Sequence, residues 1–378
     1  MKKPITLIAL IFTIHCSSYA AFILGTPPIQ SMGVLEFSPD GTLFIGDSKS
    51  AAIFAIDLKN DQNNTGDKAL QVMDVEEKIA ALLATTKEEV MIHDMAVNPI
   101  SKNVYLSVSR GRSGWTSNWQ MPKELSDARV LIRIKNNASI EEVSLDNVNY
   151  TVANIPNPIA NEKEHRWKKG TKLRTDAISD LAFENGKLYV AGLSNEEFAS
   201  SMWIIPYPFS DEVSTTTLEI FHGAHGKYET SAPIRAFLPY KLNNKDHLIA
   251  AYLCTPLVTF ETEDLQDGQH IKGRTVAEFG SGNFPIDMLV YEHKGKDFIL
   301  MSNSALPLLI FDPLDVASFE GEINTEVESY LSGVPYTPRS GAGIYHLADY
   351  DEKYIVYTQR MANGSLLLGS LPKNWLSP

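Results

Sequence analysis

The stretch from Ile178 to Phe198, "ISDLAFENGKLYVAGLSNEEF", alternates apolar and polar positions, turns at Asn185-Gly186 and alternates again. Period-two alternation over Val, Tyr, Leu and Phe predicts a pair of strands, and the Asn-Gly dipeptide predicts the hairpin turn that joins them. The pattern recurs along the chain as "GVLEFSPDGTLFIGD" (33–47), "HDMAVNPISKNVYLSVS" (93–109), "SDLAFENGKLYVAGL" (179–193), "IRAFLPYKLNNKDHLIAAYL" (234–253), "IDMLVYEHKGKDFILMS" (286–302) and "IYHLADYDEKYIVYT" (344–358). A third apolar run follows each pair: "AAIFAIDL" (51–58), "ARVLIRI" (128–134), "SMWIIPY" (201–207), "LVTFET" (257–262), "LPLLIFD" (306–312) and "SLLLGSL" (365–371).

Repeats of roughly 40–50 residues, each a small antiparallel sheet, signal propeller blades, and the wider spacing here leaves room for insertions. The expected fold is all-β: a six-bladed β-propeller with loop and short helical insertions. It becomes seven-bladed if another blade hides in 135–175. The rival reading, two unrelated β-sandwich domains, fits poorly with copies spread evenly from end to end. One insertion, "DVEEKIAALLATT" (74–86), has apolar residues at helical spacing. The stretch 110–127 is polar and aromatic, and 156–174 reads as a basic, irregular loop. Closing the ring is expected to bring 22–30 beside the last blade.

The first twenty residues follow a different pattern. Lys2 and Lys3 precede an apolar run from Ile5 to Ile14, and Ser18 and Ala20 stand at small-residue cleavage positions. This predicts a secretory signal peptide over 1–20 and a single propeller domain over 21–378, placing the mature chain in the periplasm or outside the cell. Cys16 lacks a lipobox, and no later segment is long and apolar enough to suggest membrane insertion. Loss of the two lysines takes the formal net charge from −13 to −15. So acidic a surface repels nucleic acid and anionic membranes, which leaves a small molecule or a periplasmic protein as the expected partner. Cys254 is then the sole cysteine, so no internal disulfide forms.

The stretches "RTDAISDLAFENGKLYVAGLSNEEF" (174–198), "HGAHGKYETSAPIRAFLPY" (222–240), "AAYLCTPLV" (250–258) and "DMLVYEHKGKDFILMSNS" (287–304) resemble a family of secreted bacterial β-propellers of unassigned activity. The resemblance implies the fold and export. More distantly, the blade pattern is similar to gluconolactonase-like and NHL-type propellers. The former likeness implies a divalent cation in the axial channel, held by Glu, Asn and Asp.

Candidate chemistry follows from where blades place residues. The start of each inner strand and the loop after each second strand open on one face. Asp94, Asp180 and Asp287 take near-equivalent entry positions, and Glu36 lies close to the same position in the first blade. These four are the candidate metal ligands, because grouped carboxylates repel unless they bind a cation, pair with arginine or shift their pKa. Oxygen ligands suit Ca²⁺ or Mg²⁺. Two other readings stay open: an Asp–Arg network with Arg235, Arg174 and Arg339, or carboxylates capping turns through backbone N–H groups. The candidate ligand-binding residues are Arg174, Asn195, Glu196, Arg235, Cys254, Asn303, Tyr345 and His346, with Asp47, Asp176 and Asn283 nearby in the pattern. On the metal reading, Asp180→Asn is expected to change binding more than stability.

"HGAH" sets His222 and His225 three apart, with Glu229 beyond. Such a pair holds a transition metal when a third ligand is present, and otherwise consists of hydrogen-bonded loop histidines. Cys254 reads as a small buried hydrophobe unless a base activates it, His93 and His346 being the candidates. Trp115, Trp119, Arg110 and Arg112 form either a partner surface or a folded rim. No nucleophile elbow, zincin helix, phosphate loop, haem motif or dinucleotide fingerprint occurs. Metal-dependent hydrolysis of the lactonase type is the alternative to ligand binding.

Overall fold

The computed structural model describes residues 20–58, 61, 68–110, 129–166, 168–327 and 331–377. Six sheets, antiparallel except where His270–Lys272 joins the third in parallel, form the six blades of a propeller, here numbered in the chain order of their inner strands. The inner strands are Leu35–Phe37, Val90–Val97, Asp180–Glu184, Ile234–Leu242, Pro285–His293 and Ile344–Asp349. Each pairs with the second strand that the hairpin pattern predicts, and each second strand pairs with a third. Among the described residues the ring has six blades and no seventh.

The middle strands read as near-continuous apolar runs because both faces of a blade are covered by its neighbours. Every residue of Thr42–Asp47 is buried. In that strand Leu43 and Ile45 enter a cluster shared with blade 2, while Phe44 enters one shared with blade 3. Six such apolar clusters lie between adjacent blades, one for each interface. Fully burying one of their large side chains, such as Trp203 or Phe311, contributes about 1.5–3 kcal/mol.

The ring does not follow chain order. Contacts between inner strands run blade 2, 1, 3, 4, 5, 6 and back to 2. Blade 1 takes three strands from the start of the chain, then receives its fourth, Val148–Asn154, only after blade 2 is complete. That strand occupies the interval where a seventh blade was conceivable. Ile23–Gly25 pairs outside it, in blade 1 and not beside the last blade. Closure is instead made by Gln71–Val72, which adds an outer strand to blade 6 immediately before the chain enters blade 2.

The insertion at 74–86 contains the helix Val75–Leu82, which buries Val75, Ile79 and Ala80 between blades 6 and 2. The stretch 156–174 is more ordered than its composition suggests: Glu164–His165 pairs with Lys168–Lys172, and a 3₁₀ turn, Leu173–Asp176, follows. Trp115, Trp119 and Arg112 lie outside the described residues. No helix among the described residues is long and apolar enough to cross a membrane.

Candidate axial site

The inner strands of blades 2, 4, 5 and 6 each carry a register shift near their entry end. The extra residue bends the strand and turns side chains toward the axis. It sets His93, Arg235, Ile286 and the pair Tyr345–His346 around the mouth. Just beyond these positions Asp94, Asp180 and Asp287 line the channel, with Glu36 from blade 1.

The three aspartates make the same pair of hydrogen bonds. One oxygen accepts the N–H of the following residue: Met95 at 2.8 Å, Leu181 at 2.9 Å and Met288 at 2.7 Å. The other accepts the N–H of a residue in the next blade: Leu35 at 2.7 Å, Phe237 at 2.8 Å and Leu347 at 2.7 Å. The clasps therefore run from blade 2 to 1, from 3 to 4 and from 5 to 6, dividing the ring into three tied pairs. In two pairs a serine beside the aspartate adds a second tie. Ser107 donates to the Gly33 carbonyl at 2.6 Å and Ser302 to the Tyr345 carbonyl at 2.5 Å. Blade 3 has Ala191 at the corresponding register position.

These bonds favour ionised carboxylates, but the surroundings oppose them. Burial, followed by the charges of Asp94 and Asp287, pushes Glu36 up to about 8 against the pull of a hydrogen bond from Phe183. Burial pushes Asp94 up to about 7. Asp180 and Asp287 are raised well above the usual range by burial and then by Asp94. Burial and the neighbouring His93 push His346 down to about 4. Asp94 and His346 keep 17% and 16% of their side-chain surface exposed, so the channel is narrow and poorly solvated without being sealed.

One ligand atom each of Asp94, Asp287 and His346 lies within 4.8 Å of the other two. His346 Nδ1 stands 3.6 Å from Asp94 Oδ1. Each carboxylate oxygen has two lone pairs, so the backbone clasps leave acceptor capacity facing the axis.

The arginines expected to neutralise the acids bond elsewhere. Arg174 donates to the carbonyls of Ser48, Lys49 and Ile159 and is buried as a strut between loops. Arg235 pairs with Asp176 at 3.0 Å, and Arg339 donates to the Ser377 carbonyl. Arg110 donates to the Leu83 carbonyl at 2.5 Å. Among the described residues the Asp–Arg alternative is not seen around the axial acids, and backbone clasps stand in its place, as in the capping reading.

The amides expected as ligands are also engaged or displaced. Asn303 closes its own turn, accepting from the Leu306 N–H at 2.6 Å and donating to the Pro307 carbonyl at 2.9 Å. Asn283 accepts from the Ala305 N–H at 2.9 Å and is buried. Asn195 is exposed on a loop tied to Asn157, whose amide donates to Glu196 at 2.5 Å. Asp47 organises a turn through the N–H groups of Gln30, Ser31, Lys49 and Ser50. Tyr345 is exposed at the mouth. His346 entered the sequence reading as a ligand-contact residue; its place between two acids depends on the bulge, which the sequence pattern does not mark.

No family model and no curated protein matches the chain. Among solved structures it is similar to Kuenenia stuttgartiensis hydrazine synthase, at 11% identity over 96% of this chain and 99% of that chain, with a TM-score of 0.40. Bacillus subtilis arabinanase Arb43A matches at 10% identity over 75% of this chain and 94% of its own, with a TM-score of 0.36. A GH43 glycoside hydrolase engineered to show endo-xylanase and exo-arabinofuranosidase activity matches at 12% identity, 80% and 52% coverage and a TM-score of 0.35. Likeness this distant carries no activity across. The six-sheet ring itself makes the chain a six-bladed β-propeller.

Proposed function

We propose that the chain is an exported β-propeller that binds a small ligand or a protein partner at the mouth of its axial channel, around a divalent cation held by Asp94, Asp287 and His346. The convergence of these three side chains within 4.8 Å carries the reading. Four carboxyl groups facing one poorly solvated axis either retain protons or take up a cation. Two carboxylates and an imidazole suit Mn²⁺, Fe²⁺ or Zn²⁺ better than Ca²⁺, which prefers oxygen ligands throughout. A bound ion would supply fixed positive charge at the mouth, able to attract an anionic group or polarise a carbonyl. The chain's own part is positional: the backbone clasps fix the carboxylates, and exposed Tyr345 and the Arg235–Asp176 pair border the opening.

Export rests on the Lys2-Lys3, apolar and Ser-x-Ala series at the start of the sequence. The distant likeness to gluconolactonase-like propellers supports an axial cation. Its asparagine ligands have no counterpart in Asn195 or Asn303 as they are placed here, so binding is favoured over lactone hydrolysis.

The test is calorimetric titration of purified protein with Mn²⁺. One ion per chain is expected, with binding weakened at least tenfold in both Asp287→Asn and His346→Ala while circular dichroism stays that of the parent. Absence of uptake by the parent, or equal uptake by both variants, would overturn the reading.

A further inference from the structure

At the junction of blades 3 and 4, the strand Ser214–His222 ends in the turn Gly223–His225. His222 is buried, with 2% of its side chain exposed, and His225 is 38% exposed. Their ring centroids lie 3.8 Å apart. Glu229 spans both rings, with Oε2 3.0 Å from His222 Nδ1 and Oε1 2.9 Å from His225 Nδ1. Lys227 Nζ sits 3.4 Å from Oε1 on the exposed side.

Glu229 engages Nδ1 of both rings, so the Nε2 atoms are the ring nitrogens left to meet an ion. His222 Nε2 is buried with no hydrogen-bond partner among the described residues. A buried polar nitrogen left unmatched opposes folding unless something else occupies it. Glu278 packs against the same turn. Its Oε1 accepts the Gly223 N–H at 2.5 Å, and its buried Oε2 is likewise unmatched.

The third component comes from blade 4. After the strand Lys245–Tyr252, Cys254 and Thr255 adopt φ of 59° and 64°, a left-handed conformation that non-glycine residues seldom hold. The turn is pinned: the Thr255 N–H donates to the Tyr252 carbonyl and its hydroxyl to the Gly280 carbonyl at 3.1 Å. This conformation delivers Cys254 Sγ to the histidines. One ligand atom each of His222, His225 and Cys254 lies within 4.8 Å of the others. Tetrahedral zinc ligands stand about 3.5 Å apart, so small side-chain movements close the set around an ion. The Gly282 N–H donates to Sγ at 3.4 Å, an outer contact of the kind that orients a sulfur ligand.

We propose that His222, His225 and Cys254 form a second metal site, for a zinc-class divalent ion, with Glu229 orienting both imidazoles from behind. Two imidazoles and a thiolate select Zn²⁺ or a similar borderline ion over Ca²⁺ or Mg²⁺. Three protein ligands leave a fourth position for water or a ligand. Glu229 is a positioning residue: it fixes the tautomers that present Nε2.

The experiment uses the full chain carrying Cys16→Ser, so that Cys254 is the only thiol, with Co²⁺ as the optical probe. The expected result is a thiolate-to-cobalt charge-transfer band that saturates at one ion per chain and is displaced by Zn²⁺. Cys254→Ser should abolish the band, and His225→Ala, at the exposed ligand, should weaken Co²⁺ binding at least tenfold. Glu229→Gln should weaken it by about 10–100-fold and keep the band. Zn²⁺ should also slow alkylation of Cys254 by iodoacetamide. No charge-transfer band at saturating Co²⁺, or alkylation indifferent to Zn²⁺, would overturn the proposal. Asp287→Asn should leave the band in place, so failure at the axis and failure here are told apart.

Discussion

The aspartates at the axis show how much one side chain can decide. Asp180 accepts the N–H of Leu181 with one oxygen and that of Phe237, in the next blade, with the other. Asp180→Asn turns an NH₂ group toward one of these donors whichever way the amide is set. The variant should lose about 1–3 kcal/mol, read as a lower melting temperature that neither Mn²⁺ nor EDTA alters. This reverses the order expected from sequence, where Asp180 is grouped with the metal ligands on its repeat position alone. Asp287→Asn, by contrast, should lose stability and also lose the response to Mn²⁺. Identical behaviour of the two variants would remove the distinction between clasp and ligand. Gly192 supports the same region by having no side chain. A Cβ there would stand 2.1 Å from the Ala177 carbonyl oxygen, in the loop that leads into Asp180. Gly192→Ala should therefore cost more than a surface substitution and shift denaturant midpoints clearly downward.

Strand pairs were legible because a hairpin writes its pattern locally. The runs at 33–47 and 179–193, with their Asp-Gly and Asn-Gly turns, match strands paired as the expected hairpins. The third strands were legible for the same reason. The order of the blades was not, because Val148–Asn154 pairs with Ala52–Asp57 across the whole of blade 2. A strand covered on both faces has the same composition whichever neighbour covers it. The axial acids could be found by superposing the repeats. Their hydrogen bonds could not, since the donors are backbone N–H groups with no side-chain signature. Cys254 and the two histidines belong to different blades, so "HGAH" alone gave no third ligand. The serine ties make a testable statement at this scale. Ser107→Ala and Ser302→Ala each remove one hydroxyl bond to the next blade and should each cost about 0.5–1.5 kcal/mol. They share no partner, so the double variant should show the sum within about 0.5 kcal/mol. A double variant much less stable than the sum would mean that the tied pairs act cooperatively around the ring.

Across the whole molecule, six apolar interfaces hold the ring and the acidic axis works against them. Glu36 at about 8 and Asp94 at about 7 stand above their unfolded values, so the folded state retains protons that the unfolded chain has already released. Such groups stabilise fully below the unfolded pKa and lose that contribution as pH rises through the folded one. His346, held at about 4, has the opposite sign: the unfolded chain takes up its proton below about 6.5, which lowers stability on the acid side. Above about pH 6.5 the histidine is neutral in both states and the carboxyl groups alone set the slope. The raised carboxyl groups outnumber the histidine, so stability should already fall as pH rises above about 4.5, and should drop by on the order of 2 kcal/mol between about pH 6.5 and 8.5. An axial cation changes the sign of this argument. It replaces the protons, so its affinity should rise over the same interval, and saturating Mn²⁺ should flatten the alkaline fall. Denaturant melts at pH 6.5 and 8.5, with Mn²⁺ or with EDTA, measure both effects. A midpoint that does not move between these pH values in EDTA would show that the axial acids are ionised throughout. An alkaline fall that Mn²⁺ leaves untouched would mean that protons, and no metal, neutralise the channel.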